Sequence, residues 1–240
     1  MKLNKLVQGI FLKRYKRFFV DVQLANGEVV TAHSNNTGSM ASLLHPGNPV
    51  WLEPNSNPRR KLKYTLHLLQ VPSGARVCVN TIFPNQIVFD AIKAQQLPCF
   101  ENCRGLKKEV RFGRENSRVD IYLENEGIPT FIEIKNVTLV EDFLPGVAQF
   151  PDARTERGRK HLQELSHEIK QGNRGIMLYL VNRTDCESFK IAEHIDPDYA
   201  DSVKKARSAG VEFLVYQTKI QISQDQATIE IEKSLDMQSS

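Results

Sequence analysis

Ser117-Arg118-Val119-Asp120-Ile121-Tyr122-Leu123 and, a few residues on, Thr130-Phe131-Ile132-Glu133-Ile134-Lys135-Asn136-Val137 are the stretches on which the reading of this chain turns. Both are rich in β-branched and aromatic residues, and side chains alternate faces along a strand. Val119, Ile121 and Leu123 are therefore expected on one face, with Asp120 on the other. On the second stretch Ile132 and Ile134 share the core face, which sends Glu133 and Lys135 out together on the opposite side. A turn at Glu126-Gly127 leaves Asp120 six residues before it and Glu133 six after it. Positions equidistant from a two-residue turn face each other at roughly 5 Å. Two acids and a lysine are thus expected on one surface.

Such a trio has a chemical use. Neighbouring carboxylates repel unless a cation lies between them, and their hard oxygens suit Mg²⁺ or Mn²⁺. A metal held there polarises a phosphoryl oxygen and acidifies a bound water. A lysine two residues past the second acid holds that water or offsets charge growing on the phosphoryl group. The alternative is a solvated hairpin face, where Asp, Glu and Lys are ordinary residues.

The chain has 240 residues, 25% charged and 40% hydrophobic, the composition of an ordinary globular protein with material for one large or two small domains. It contains no apolar run long enough to span a bilayer, and its first fifteen residues lack a signal-peptide cleavage site, so a cytoplasmic protein is expected. Cys78, Cys99, Cys103 and Cys186 lack the paired spacing of a zinc site and read as reduced thiols.

Charge is unevenly placed. Residues 1–83 carry eleven Lys/Arg against three acids, and residues 84–240 carry 21 against 25. Two domains, 1–83 and 84–240, are therefore expected, the first with the electrostatic footprint of a DNA-binding module. Its strands are predicted at 17–24, 28–33, 49–52, 61–70 and 75–80, which suits a small OB-like barrel. Lys13, Arg14, Lys16 and Arg17 interleave with Tyr15 and Phe18, and Arg59, Arg60, Lys61 and Lys63 surround a second turn. Both clusters are candidate nucleic-acid contacts. Trp51 reads as a barrel core residue.

Beyond the barrel, a helix is predicted over 84–96 and a strand over 106–112, followed by the acidic hairpin. Residues 141–154 read as loop. Thr155 caps a helix to Gln171, with Leu162, Leu165 and Ile169 as its core stripe and Gly172 as its stop. A buried strand at 175–181, a helix at 199–209 and strands at 211–217 and 227–231 complete the α/β domain, before a polar tail at 237–240.

With Asp120 on the second strand and Glu133-x-Lys135 on the third, this order resembles the PD-(D/E)xK nuclease-like fold, a restriction-endonuclease-like mixed sheet flanked by helices. Asn36-Thr37-Gly38-Ser39-Met40, Ser117-Arg118-Val119-Asp120, Glu133-Ile134-Lys135 with Val137-Thr138-Leu139, Phe150-Pro151-Asp152-Ala153 and Thr155-Glu156-Arg157-Gly158-Arg159-Lys160-His161-Leu162 go further. They resemble the sugar fermentation stimulation protein (SfsA) family over roughly 19–217. The resemblance implies an N-terminal OB-like barrel, a C-terminal nuclease-like domain, non-specific DNA binding and a link to regulation of sugar, particularly maltose, metabolism.

Carried onto this chain, the nuclease pattern implies metal binding by Asp120 and Glu133 and the catalytic lysine role for Lys135. A third acid comes from Asp90 or Glu109, with Glu109 favoured because its strand should neighbour the hairpin. Arg118 either pairs with Asp120 or reaches a phosphate. Arg157, Lys160 and His161 open the long helix, whose dipole favours anions, and either touch a DNA backbone or form a solvated helix end. The loop at 36–40 is either an anion-binding nest or a tight barrel turn. The family's Cys-Pro before it is Ser34-Asn35 here. Two activities follow: DNA binding with a Mg²⁺-dependent nuclease-type site, or DNA binding without cleavage.

Overall fold

The computed structural model describes residues 1–113 and 117–238. Its first third contains β1 (Lys2–Leu3), β2 (Val7–Tyr15), β3 (Phe19–Leu24), β4 (Val29–Ser34), β5 (Pro49–Pro54), β6 (Tyr64–Gln70) and β7 (Arg76–Cys78). Then come α1 (Phe83–Lys93), β8 (Cys103–Phe112), β9 (Ser117–Asn125), β10 (Ile128–Val137) and β11 (Val147–Phe150). The remainder is α2 (Glu156–Lys170), β12 (Arg174–Val181), β13 (Ser188–Ile191), α3 (Pro197–Ser208), β14 (Glu212–Ser223), β15 (Gln226–Ser234) and β16 (Asp236–Met237).

Strands β2 to β6 close into a five-stranded barrel in the order β4-β3-β2-β5-β6, sealed by parallel pairing of β4 with β6. The OB-like barrel is therefore present, but one of its strands differs from expectation. The first barrel strand is β2, which the alternation of residues did not reveal because a register shift between Phe11 and Lys13 breaks the period of two. Strand β7, expected as part of the ring, extends its edge instead. Strand β1 leaves the barrel altogether, pairing Lys2 with Thr228 and Leu3 with Ala227 of β15.

The second domain is built on a seven-stranded sheet ordered β1-β15-β14-β12-β10-β9-β8. Its central strand β12 runs parallel to both β10 and β14. Both of its faces are covered, which explains its unbroken apolar run. Ile176, Leu178 and Leu180 pack with α1, whereas Met177, Tyr179 and Val181 pack with α2 and α3. Trp51, expected inside the barrel, joins the α1-side cluster with Leu68 and Cys78, and so belongs to the seam between the domains. The backbone continues that seam, with Cys78 N–H donating to Asn182 O at 2.8 Å. Part of the segment read as loop forms β11, which pairs with β13 in a small separate sheet completed by β16 on the far side of β13. Met237 of the expected tail lies in β16, and Ser239 and Ser240 lie outside the described residues.

The acidic hairpin turns where the sequence placed it. Pairs from Ile128↔Asn125 to Ile132↔Ile121 set a register in which Asp120 and Glu133 come next. One expectation fails. Ile121 and Leu123 pack on the α1 side, but Val119 joins the α2-side cluster with Phe112 and Phe131. The β8–β9 ladder passes from Lys108↔Ile121 to Val110↔Val119, and between them Glu109 adopts a left-handed φ of 55°. That departure from strand geometry lies on β8, beside the point where Val119 of β9 changes layer.

Candidate metal centre and basic surfaces

Glu133 lies at the middle of the large sheet, opposite Met177 in register, and is 3% exposed. Its Oε1 accepts a hydrogen bond from Lys135 Nζ at 2.7 Å and another from His161 Nδ1. Its Oε2 is buried and has no partner among the described residues. Burial alone would raise the Glu133 pKa, but Lys135 and His161 outweigh it and hold the carboxyl below its usual range. The glutamate is thus a buried carboxylate with one oxygen fully engaged and one open. Leaving such an oxygen without a partner is unfavourable unless something fills it.

Asp120 sits beside it. Its Oδ2 accepts from the backbone N–H of Ile134 at 2.7 Å, and its Oδ1 from Asn85 Nδ2 at 2.7 Å. Burial, followed by the charge of Glu133, pushes its pKa up to about 7, against the pull of Ile134 N–H, Lys135 and Asn85. Two neighbouring carboxyls, one held down and the other pushed up, form a site that gains when a cation neutralises it. The donor chemistry fits a hard divalent ion.

A cleft of about 430 Å³ opens onto Asp120 and is lined by Glu109, Ser117, Arg118, Arg157, Lys160 and His161. Of the two candidates for a third acid, Glu109 lines this cleft, whereas Asp90 accepts from Gln86 Nε2 at 2.6 Å on α1. Among the described residues, however, no three acids, histidines or cysteines stand together as a preformed metal cluster. Arg118 and Arg157 are exposed at the cleft, and Lys160 lines it too.

Two contributors were not assigned to the acidic site from the sequence. Asn85, read only as a helix start, reaches Asp120 from α1. His161, read as a DNA-backbone contact or part of a solvated helix end, is instead 4% exposed and touches Glu133, Lys135 and Arg157. Helical spacing carried a signal for it. Gly158, His161, Leu162 and Leu165 share one buried stripe of α2.

The basic residues of the barrel separate into two kinds. Lys13, Lys16 and Arg17 are exposed near the tip of the β2–β3 hairpin. Arg14 is not available there, because its guanidinium donates to the carbonyls of Arg17, Asn36, Gly38 and Ser39 at 2.7–3.0 Å. It clamps the loop at 36–40, whose Ser39 N–H in turn donates to Asp152 Oδ2 at 3.2 Å. The anion this loop holds is therefore a carboxylate of the same chain. Arg59 and Lys61 are exposed and Arg60 half-buried in the loop at 55–63. Strand directions set that loop at the opposite end of the barrel strands from the β2–β3 hairpin.

An OB barrel joined to a mixed sheet with three helices, whose β9–β10 hairpin carries two acids and a lysine, defines a two-domain architecture. Residues 12–79 match the SfsA N-terminal OB domain, and residues 82–224 match the sugar fermentation stimulation protein RE domain. The chain belongs to the sugar fermentation stimulation protein family. A homologue from Pseudoalteromonas atlantica is 45% identical over 218 residues, covering 90% of this chain and 92% of the relative. One from Maricaulis maris is 44% identical over 216 residues, covering 90% of each. The solved structure of Pyrococcus furiosus SfsA in complex with Ca²⁺ superposes with a TM-score of 0.86 at 27% identity, covering 100% of this chain and 98% of the other. Among the described residues, no helix is long and apolar enough to cross a membrane.

Proposed function

We propose that this chain binds DNA without sequence preference through its basic barrel, and that Asp120, Glu133 and Lys135 form a divalent-metal site for phosphodiester hydrolysis. The observation that carries the reading is Glu133, buried with Oε1 doubly engaged and Oε2 open beside Asp120. Asp120 and Glu133 Oε2 would hold Mg²⁺ or Mn²⁺, with Glu109, which lines the same cleft, the candidate for a further oxygen. The bound ion would supply Lewis-acid polarisation and an acidified water. The Ca²⁺ complex of Pyrococcus furiosus SfsA supports a hard divalent cation in this fold.

The chain's own residues supply the rest. Arg118, Arg157 and Lys160 line the cleft and position a phosphate there. Lys135, fixed against Glu133, offsets negative charge on the phosphoryl oxygens. In the hydrolysis a water oxygen bonds to phosphorus as the bond to one sugar oxygen breaks, and the water's proton ends on that oxygen. The exposed hairpin and the loop at 55–63 correspond to the loops that flank the nucleic-acid face of OB barrels.

The test is incubation of plasmid and oligonucleotides with Mg²⁺ or Mn²⁺. Cleavage that disappears in both Asp120→Ala and Lys135→Ala supports the reading, and cleavage that persists in both rejects it. DNA binding without cutting is the second reading, favoured by the hydrogen bonds that already occupy both oxygens of Asp120. It expects binding that weakens steeply with salt and is indifferent to Asp120→Ala. A role in regulating sugar metabolism rests on the family's name.

A further inference from the structure

Two of the three contacts of His161 select one tautomer. Arg157 Nε–H donates to His161 Nε2 at 3.3 Å, and arginine has no acceptor to offer in return. The Nε2 atom must then present its lone pair, which places the ring proton on Nδ1. That Nδ1–H donates to Glu133 Oε1. Lys135 Nζ, 3.2 Å from Nδ1, is itself only a donor, so it makes no hydrogen bond to the protonated Nδ1 and donates instead to Glu133 Oε1. Two donors fill both lone pairs of Oε1, and the vacant lone pairs of this buried carboxylate all lie on Oε2.

We propose that His161 is a positioning residue that fixes the rotation of Glu133, directing Oε2 at the cation, and that Arg157 holds His161 in the tautomer this requires. The proposal rests on the divalent-metal reading of Asp120 and Glu133. It goes beyond that reading by assigning a role to a helix residue outside the acid–acid–lysine trio. Packing supports it. His161 lies on the buried stripe of α2, and a Cβ added to Gly158, one turn earlier, would stand 2.9 Å from the Tyr199 ring. Helix α2 therefore seats closely, and the imidazole has little freedom to turn away. Residues that orient metal-binding carboxylates typically alter affinity about 10–100-fold when removed.

The experiment measures Mn²⁺ affinity of the full chain by titration calorimetry, with thermal unfolding as the check on folding. Wild type should bind and Glu133→Gln should not. His161→Ala should bind about 10–100-fold more weakly. His161→Asn, whose amide N–H reaches the place of Nδ1–H, should recover most of that loss. Ring ¹⁵N shifts of the metal-free wild type should report a protonated Nδ1 and a bare Nε2, and Arg157→Leu should weaken that preference, leaving Glu133 alone to hold it. Should His161→Ala fail to fold, His161→Asn and Arg157→Leu carry the test. Wild-type affinity in His161→Ala, or the opposite tautomer in the spectrum, would overturn the proposal. Mn²⁺ binding that is absent, or indifferent to Glu133→Gln, removes the metal reading itself and the proposal with it, a pattern distinct from the other outcomes.

Discussion

Ser39 and Asp152, 113 residues apart, meet across the domain seam. The backbone N–H of Ser39 donates to Asp152 Oδ2 at 3.2 Å, and its hydroxyl donates to the Asp152 carbonyl at 3.4 Å. A Cβ on Gly38 would come within 2.5 Å of the same carboxylate oxygen, so the loop approaches Asp152 closely because residue 38 is glycine. Two of the strings that marked the family are thus the two halves of one contact between barrel and sheet.

Breaking that contact should loosen the domains rather than remove chemistry. Asp152→Ala is expected to lower stability by about 1–3 kcal/mol, the usual effect of losing a hydrogen bond to a charged group. Urea unfolding followed by tryptophan fluorescence checks this, since Trp51 lies in the seam. An unchanged midpoint would show that the contact contributes nothing.

Arg14 and its neighbours should behave differently although all are basic. Arg14→Ala removes the clamp on the carbonyls of Asn36, Gly38 and Ser39 and is expected to destabilise by about 1–3 kcal/mol. Lys16→Ala and Arg17→Ala, both exposed, should leave stability within about 0.5 kcal/mol. Each should reduce the slope of log affinity for DNA against log salt by about 1. Fluorescence anisotropy over a salt series separates the two classes.

Asp120 should give the metal-free protein an unusual pH dependence. Its carboxyl holds a proton more tightly folded, with a pKa of about 7, than unfolded, near the ordinary value of 3.8. Folding therefore takes up a proton between about pH 4 and pH 7, and stability falls as pH rises through that window. At one pKa unit per 1.36 kcal/mol the loss is at most about 4 kcal/mol, complete above pH 7. Asp120→Asn keeps an acceptor for Ile134 N–H and removes the charge. It should unfold at higher urea than wild type at pH 8 in EDTA, with the advantage gone near pH 4. A constant difference at both pH values would contradict the assignment.

Asn85 helps to hold the charged form of Asp120. Asn85→Ala should raise the carboxyl's pKa further, so that Mn²⁺ binding starts at higher pH than in wild type. Affinity measured from pH 6 to pH 9 gives the shift, and coincident curves would count against it.

Alternation along two short strands carried Ile132 and Ile134 to one face and Glu133 and Lys135 to the other, and a Gly turn set the register that brings Asp120 toward Glu133. These are local rules, satisfied within a dozen residues. Where they failed, a geometric exception was present nearby: the bulge in β2 hid a barrel strand, and Val119 joins the other layer beside the left-handed Glu109 of the neighbouring strand. Arg14 looked like its exposed neighbours because nothing in its own segment reveals carbonyls presented by a loop more than twenty residues away.

The candidate residues Asp120, Glu133 and Lys135 and the two-part architecture were legible in the sequence alone, because periodicity and turn residues act over short distances. Tertiary structure decided which groups complete the site: the helix that brings His161 onto Glu133, the Asn85 that reaches Asp120, and the loop that closes on Asp152. Those pairings depend on how separate layers pack, and packing is a property of surfaces that meet only after the chain has folded.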